Sequence, residues 1–125
     1  MDFDTRRQIA SPTGASLNLY TSRPDGAPRG IIQINHGLAE HAARYARFAN
    51  FLAAQGFATY AHDHRGHGFT TAPDAPRGSF GKKPAAATVL ADVSVIHDLI
   101  AKEHPGRPVI VFGHSMGSLI AANFM

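Results

Sequence analysis

The sequence predicts an α/β domain with a mostly parallel sheet. Short apolar runs rich in Ile, Val and Phe alternate with segments of helical periodicity, which is the pattern of a parallel core. Two extended segments precede this alternation and predict an antiparallel N-terminal hairpin. Polar, Gly-rich clusters follow three of the apolar runs. Because ligand and catalytic groups of open parallel sheets lie at the carboxyl ends of strands, we expect these clusters to share one rim.

The first half of the chain supplies the hairpin and one strand with its helix. The extended segments are 4–9 and 16–22, which are joined by a cluster of turn-forming residues. A strand is predicted over 30–35. Apolar residues at helical spacing predict a helix over 44–55, and Gly56 suits the left-handed position that ends such a helix.

The second half repeats the alternation. A strand is predicted over 57–61, followed by a Pro- and Gly-rich irregular segment over 70–86. The helix over 87–103 places an apolar stripe on one face, namely Val89, Val93, Ile96 and Ile100. The unbroken apolar run 108–112 predicts a strand buried on both faces, and a last helix is predicted to begin at Ser118.

Composition narrows the class of protein. The chain has 125 residues, 44% hydrophobic and 17% charged, which suits a single globular domain. The net charge of +3 comes from scattered Arg residues, so we expect no nucleic-acid partner. Cysteine is absent, which excludes disulfides and thiolate metal sites. The N-terminus has no apolar signal region and apolar runs reach only about five residues, so a cytoplasmic location is expected.

The apolar run near the C-terminus leads into the pattern G-x-S-x-G, formed by Gly113, His114, Ser115, Met116 and Gly117. A strand that reverses into a helix within a few residues strains the residue at the apex, and flanking glycines give the necessary clearance. The helix N-terminus then favours negative charge developing near the Ser115 hydroxyl. The pattern therefore predicts the nucleophile elbow of a serine hydrolase, with Ser115 as the nucleophile.

Acyl transfer by serine also needs two N–H donors for the tetrahedral oxyanion. The backbone N–H of Met116 is one candidate, because it follows the nucleophile. The loop after the strand 30–35 is expected to provide the other, most plausibly the N–H of Leu38, supported by His36 and Gly37.

The general base is not evident in the sequence. His114 adjoins Ser115, but neighbouring side chains diverge in an elbow. In hydrolases with this elbow the acid and the His follow the Ser, so both are expected beyond Met125. The chain is then the N-terminal portion of one domain and is catalytically incomplete by itself.

His62, His64 and His67 suggest a rival interpretation. Their H-x-H-x-x-H spacing is similar to the zinc motif of metallo-β-lactamase-type hydrolases, although Gly66 stands where that motif has Asp. A Gly-rich loop with hydrogen-bonded imidazoles explains them more simply, so no metal and no cofactor is expected. Asp63, within the same cluster, is expected to cap or brace the loop, with no role in proton transfer.

The motifs together resemble the monoacylglycerol lipase and lysophospholipase group of α/β-hydrolases. The resemblance covers nearly the whole chain and rests on the residues His36, Gly37, Glu40, His41, Arg44, Tyr45, Ala61, His62, Asp63, His64, Gly66, His67, Gly68, His104, Pro105, Gly106, Pro108 and Gly113 to Gly117. Two positions depart from the group. Ser118 stands where another Gly is common, and Phe69 and Thr70 stand where Ser and Gly are more usual.

The resemblance implies an α/β-hydrolase fold with Ser115 as nucleophile, Leu38 and Met116 as oxyanion donors, and a lid, an acid and a His outside this sequence. It implies a small ester or lipid substrate, such as a monoacylglycerol or lysophospholipid, and allows contact with a membrane surface. Other functions stay open: a general esterase, a peptidase, a metal-dependent hydrolase at His62, His64 and His67, or an incomplete fragment without activity. Chain-length preference and oligomeric state do not follow from the residues.

Overall fold

The computed structural model of the chain describes residues 2–37, 41–65, 67–71 and 85–113. Within these ranges the chain alternates strands and helices in the predicted order. The elements are β1 Thr5–Ala10, β2 Ser16–Ser22, β3 Gly30–Asn35, a 3-10 helix Ala42–Tyr45, α1 Ala46–Ala54, β4 Phe57–His62, α2 Ala85–Glu103 and β5 Val109–Gly113. The predicted strand bounds agree with these to within one residue, and α2 begins at Ala85, two residues before its predicted start.

The strands form one mixed sheet in the order β1-β2-β4-β3-β5. β2 pairs antiparallel with β1 and with β4, while β3 pairs parallel with β4 on one side and with β5 on the other. Every residue of β3 is buried, as expected for a strand covered on both faces. The prediction of a parallel core preceded by an antiparallel hairpin is confirmed.

One face of the sheet packs against α2. The predicted apolar stripe of this helix is buried in full, with exposed fractions between 0% and 4%. Its partners are alternate residues of three strands, namely Leu17, Leu19, Ile31, Ala58 and Tyr60. Because successive side chains of a strand point to opposite faces of the sheet, the residues between these partners face the other side.

The opposite face packs against the 3-10 helix and α1. Tyr45, Phe48 and Leu52, predicted from their helical spacing, contact the cluster of Ile32, Ile34, Ala42 and Ala61. The helical segment begins at Ala42, two residues before the predicted start, because its first turn is 3-10. Gly56 ends it with φ +92°, as expected for a left-handed position. Neither described helix has the length and apolar character needed to cross a membrane.

The prediction that the strand 108–112 is buried on both faces is wrong for the structure described. β5 is mostly half-buried, and the side chain of Ile110 is 52% exposed. The physical reason is its position: among the described residues β5 pairs with β3 alone and forms one edge of the sheet. The apolar run therefore predicted the strand, whereas its exposure depends on the neighbours present among the described residues.

A buried ion pair joins the loop after β4 to α2 and to the β1–β2 turn. The Arg65 guanidinium lies 3.4 Å from the Asp92 carboxylate, and both side chains are at most 1% exposed. The other Asp92 oxygen accepts hydrogen bonds from the hydroxyls of Ser11 and Thr13, each over 2.7 Å. One carboxylate thus ties three separate parts of the chain together.

We expect Asp92→Ala to lower the free energy of unfolding by about 3 kcal/mol or more, because breaking a buried ion pair leaves the desolvation cost of the remaining charge. Urea unfolding of the protein that carries this sequence measures the loss. Asp98→Ala, on the exposed face of the same helix, is the matched control and should change stability by less than about 0.5 kcal/mol. Equal effects of the two substitutions would contradict this account of Asp92.

Candidate active site

The carboxyl ends of β3, β4 and β5 meet at one rim of the sheet. Asn35, the last residue of β3, is paired with His62 of β4 and with Gly113 of β5. The polar clusters that follow these strands therefore begin side by side. The expectation of a shared rim is confirmed as far as the described residues reach.

Several predicted site residues fall outside the described ranges. They are Leu38, the candidate oxyanion donor, and His114, Ser115, Met116 and Gly117 of the elbow pattern. Gly113 is described and ends β5, so the elbow pattern starts at the rim, next to Asn35. His36 and Gly37 are also described, and both are buried at the same rim.

His36 links the loop after β3 to the loop after β4. Its Nε2 accepts a hydrogen bond from the backbone N–H of His64 over 2.8 Å. An accepting Nε2 requires the neutral tautomer with the proton on Nδ1, and that nitrogen lies 2.7 Å from the carbonyl oxygen of Gly37, to which it donates. The ring is fully buried. His36 thus connects the backbone after β3, at Gly37, to the loop after β4, at His64.

The Asp63 side chain accepts three hydrogen bonds at the rim. Its Oδ1 accepts from the N–H of Ala42 over 2.7 Å, and its Oδ2 accepts from Asn18 Nδ2 over 2.8 Å and from the N–H of Phe69 over 3.0 Å. The side chain is fully buried. Gly68 packs so closely that an added Cβ would lie 2.3 Å from the carboxylate carbon. The prediction that Asp63 braces the loop is confirmed.

The partners of Asp63 were not apparent from the sequence. Asn18 lies in the middle of β2, and Ala42 starts the helical segment after the candidate oxyanion loop. The one available signal was Asn18 itself, a polar residue between Leu17 and Leu19 in the middle of the strand, which needs a partner when it is buried.

Four buried imidazoles lie together at the rim. The ring centroid of His36 is 4.3 Å from that of His64 and 5.4 Å from that of His67, and the rings of His62 and His64 are 4.9 Å apart. Within the part of the chain that the structure describes, no three potential ligands are arranged to hold a metal ion. The cluster instead joins two loops, because the backbone N–H of His64, after β4, donates to the ring of His36, after β3.

Burial favours the neutral forms of His62 and His64. It lowers the pKa of His62 from 6.5 to about 3, an effect reinforced by the neighbouring His36 and opposed by Asp63. Burial also lowers the pKa of His64 well below its ordinary value, and His62, His36 and His67 add to the shift. Both ring nitrogens of His62 lack a hydrogen-bond partner among the described residues.

The mixed sheet, its helices on both faces and its polar rim define the fold of an α/β-hydrolase. A family model described as "Serine aminopeptidase, S33" matches residues 26–125, and the chain belongs to this family.

Curated relatives name a more specific activity. The chain is 40% identical over 97 residues to a monoacylglycerol lipase of Mycolicibacterium smegmatis, covering 75% of this chain and 31% of that protein. It is 35% identical over 99 residues to the human monoglyceride lipase, covering 79% of this chain and again 31% of the relative. The chain thus spans about a third of the length of these relatives.

A solved structure supports the same class. A thermostable carboxyl esterase from Bacillus coagulans, crystallised with glycerol, superposes with a TM-score of 0.84 at 33% identity. The match covers 96% of this chain and 39% of the esterase.

The lowered pKa of His62 predicts a dependence of stability on pH. Between about pH 6.5 and pH 3 the unfolded chain binds a proton at this ring that the folded chain does not, so the free energy of unfolding falls as the pH falls. The loss approaches about 1.4 kcal/mol per pH unit within this window and vanishes above it.

His62→Leu should lessen this slope, with the contribution of the similarly shifted His64 remaining, and should keep the stability at pH 7.5 within about 1 kcal/mol of the parent, since it also removes two ring nitrogens without partners. Urea unfolding between pH 4 and pH 8 measures both. A variant with the parent's full slope would show that His62 does not titrate as described.

Proposed function

We propose that the chain supplies the nucleophile and the oxyanion site of a serine ester hydrolase that acts on monoacylglycerol-like or lysophospholipid-like esters. The observation that carries the proposal is the pairing of Asn35 with Gly113, because the loop containing Leu38 and the motif containing Ser115 begin at these neighbouring positions. The identity to two monoacylglycerol lipases supports the class of substrate.

In the proposed reaction Ser115 Oγ attacks the ester carbonyl carbon while a base takes the hydroxyl proton. The backbone N–H groups of Leu38 and Met116 donate to the oxyanion of the tetrahedral intermediate. Collapse breaks the bond to the alcohol, which leaves with the proton, and the acyl group stays on Ser115. Water then attacks the acyl-enzyme and releases the carboxylic acid, returning the proton to Ser115.

The proposed base and its orienting acid come from outside this sequence. The buried imidazoles at the rim are poor candidates: His36 Nε2 already accepts from His64, and burial lowers the pKa of His62 and His64. The chain also spans about a third of the length of its curated relatives. We propose that it is the N-terminal portion of one α/β-hydrolase domain, and that the remaining portion provides an Asp or Glu, a His and the lid.

A peptidase is the second candidate, because the matching family is described by a serine aminopeptidase. Ester and peptide hydrolysis share the acyl-enzyme and differ in the leaving group, so the same elbow and oxyanion donors serve both. Comparing hydrolysis of monoacylglycerols with that of amino-acid anilides by the full-length protein separates the two. Faster hydrolysis of the anilides would replace the proposed lipase activity with the peptidase.

We expect a fluorophosphonate probe to label the full-length protein at Ser115 and to abolish ester hydrolysis, because it reacts with activated serine hydroxyls. Ser115→Ala should remove both labelling and activity, a loss of about 10⁴-fold or more in kcat. Gel fluorescence and release of fatty acid are the measurements.

The substitution Ser118→Ala, three residues further on, is the control and should keep its labelling. A chelator distinguishes the metal-dependent alternative at His62, His64 and His67, since it should leave the serine hydrolase unaffected. Labelling that persists in Ser115→Ala, or activity lost with chelator, would overturn the assignment.

A further inference from the structure

The segment that contains Leu38 is anchored at both ends to the loop after β4. On its N-terminal side, the backbone N–H of His64 donates to the His36 ring over 2.8 Å. On its C-terminal side, the backbone N–H of Ala42 donates to Asp63 Oδ1 over 2.7 Å. Asp63 and His64 are adjacent in the chain, so one short piece of backbone holds both ends.

Asp63 replaces a helix cap that the local sequence lacks. Ala42 is the first residue of the 3-10 helix, and the preceding residue, His41, makes no side-chain capping bond. The first turn of this helix contains no acidic residue. A helix start with free N–H groups favours a carboxylate, and here the carboxylate comes from a residue 21 positions further along the chain.

The carboxylate has no freedom to move away from Ala42. Its second oxygen accepts from Asn18 and from Phe69, and Gly68 presses against its face. The backbone of Asp63 is fixed as well: its N–H donates to the carbonyl of Asn18 over 2.9 Å, and its carbonyl accepts from the Thr70 hydroxyl over 2.7 Å.

We propose that Asp63 is a positioning residue for the oxyanion site: by holding Ala42 it sets the end of the loop that carries the Leu38 N–H. This inference rests on the proposed function. Asp63 is not a candidate acid or base, because both of its oxygens accept from groups of the protein and the side chain is fully buried. Its contribution is geometric, since an oxyanion donor works only when it lies about 2.7–3.1 Å from the developing charge.

Asp63→Asn separates the Ala42 contact from the rest of the network. The amide has only one oxygen that can accept hydrogen bonds. Two donors, Asn18 Nδ2 and the N–H of Phe69, lie on one side of the group, and one donor, the N–H of Ala42, lies on the other. The oxygen should therefore turn toward Asn18 and Phe69, leaving the NH₂ group against the N–H of Ala42. We expect kcat to fall about 10- to 100-fold with KM within about twofold, since full loss of an oxyanion donor costs about 10²- to 10³-fold.

The double substitution Asp63→Asn with Asn18→Asp tests whether the orientation of this group is what matters. A carboxylate at position 18 accepts from the new NH₂ group and from Arg6 and Gln8, whose side chains already donate to Asn18 Oδ1. The amide oxygen then faces Ala42 again. We expect kcat to return to within about threefold of the parent, even though the N–H of Phe69 loses its acceptor and the melting temperature recovers only in part.

Ser11→Ala is the matched structural control. It removes a buried hydroxyl that donates to Asp92 over 2.7 Å and is not among the groups that hold Asp63 or Ala42. It should lower the melting temperature and leave kcat within about twofold. If Asp63 served stability alone, kcat would follow the melting temperature across all these variants.

Ala42→Pro cuts the same contact from the other side and covers the case in which Asp63→Asn does not fold. Proline lacks the N–H and is tolerated at the first helical position, and His41 has the extended backbone, φ −151° and ψ 162°, that proline requires of its neighbour. We expect the same loss in kcat as for Asp63→Asn.

The experiment measures kcat, KM and melting temperature of the full-length protein on a monoacylglycerol for the parent and for each variant, with Ser115→Ala alongside. A kcat equal to that of the parent in folded Asp63→Asn or Ala42→Pro would overturn the inference. If Ser115→Ala is inactive in the same assay, the proposed function is still supported. Failure of the double substitution to restore kcat would also overturn it. Full activity in Ser115→Ala would instead overturn the proposed function.

Discussion

The parallel pairing of β3 with both of its neighbours is the constraint on which the site depends. It aligns Asn35 with His62 on one side and with Gly113 on the other, so three loops leave the sheet at one level. A shift of one residue in either register would turn every side chain of the strand to the opposite face, and the two apolar clusters that fill these faces oppose such a shift. The hydrophobic pattern of β3 therefore fixes where the polar loops begin.

Polar contacts between loops determine the structure of the rim, at the carboxyl ends of these apolar strands. Asp63 and His36 each join the loop after β4 to the segment after β3, and Arg65 with Asp92 joins it to α2. Groups buried in this way are costly when a partner is lost, about 1–3 kcal/mol for a neutral group and more for a charged one. The rim consequently has few alternative arrangements of low energy, which suits a site that must hold backbone N–H groups in place before the reaction begins.

Local patterns were sufficient to predict most of the fold. The bounds of β2 and β3 follow from apolar alternation between clear turn residues, and Gly56 and the buried stripe of α2 follow from helical rules. The exposure of β5 did not follow from its apolar run, because the covering of a strand depends on neighbours that are distant in sequence. The 3-10 start at Ala42 was also missed, since its capping group, Asp63, is distant in sequence.

The same limit of local sequence patterns applies to the candidate site. The residues Gly113 to Gly117 and His36 with Gly37 were recognisable because each motif is contiguous. The network around Asp63 was not, since its partners Asn18, Ala42 and Phe69 come from three different segments and meet only in the folded chain. Contiguous motifs thus predict the reacting groups, whereas the contacts between distant segments require the structure.

A crystal structure of the full-length protein inhibited by an alkyl phosphonate would show whether these two loops meet at the reacting serine. We expect phosphorus bonded to Ser115 Oγ, with the phosphonyl oxygen about 2.7–3.1 Å from the backbone nitrogens of Leu38 and Met116. Phosphorus on another residue, or a phosphonyl oxygen that contacts neither nitrogen, would contradict the claim that strand register brings these two loops together to form the site.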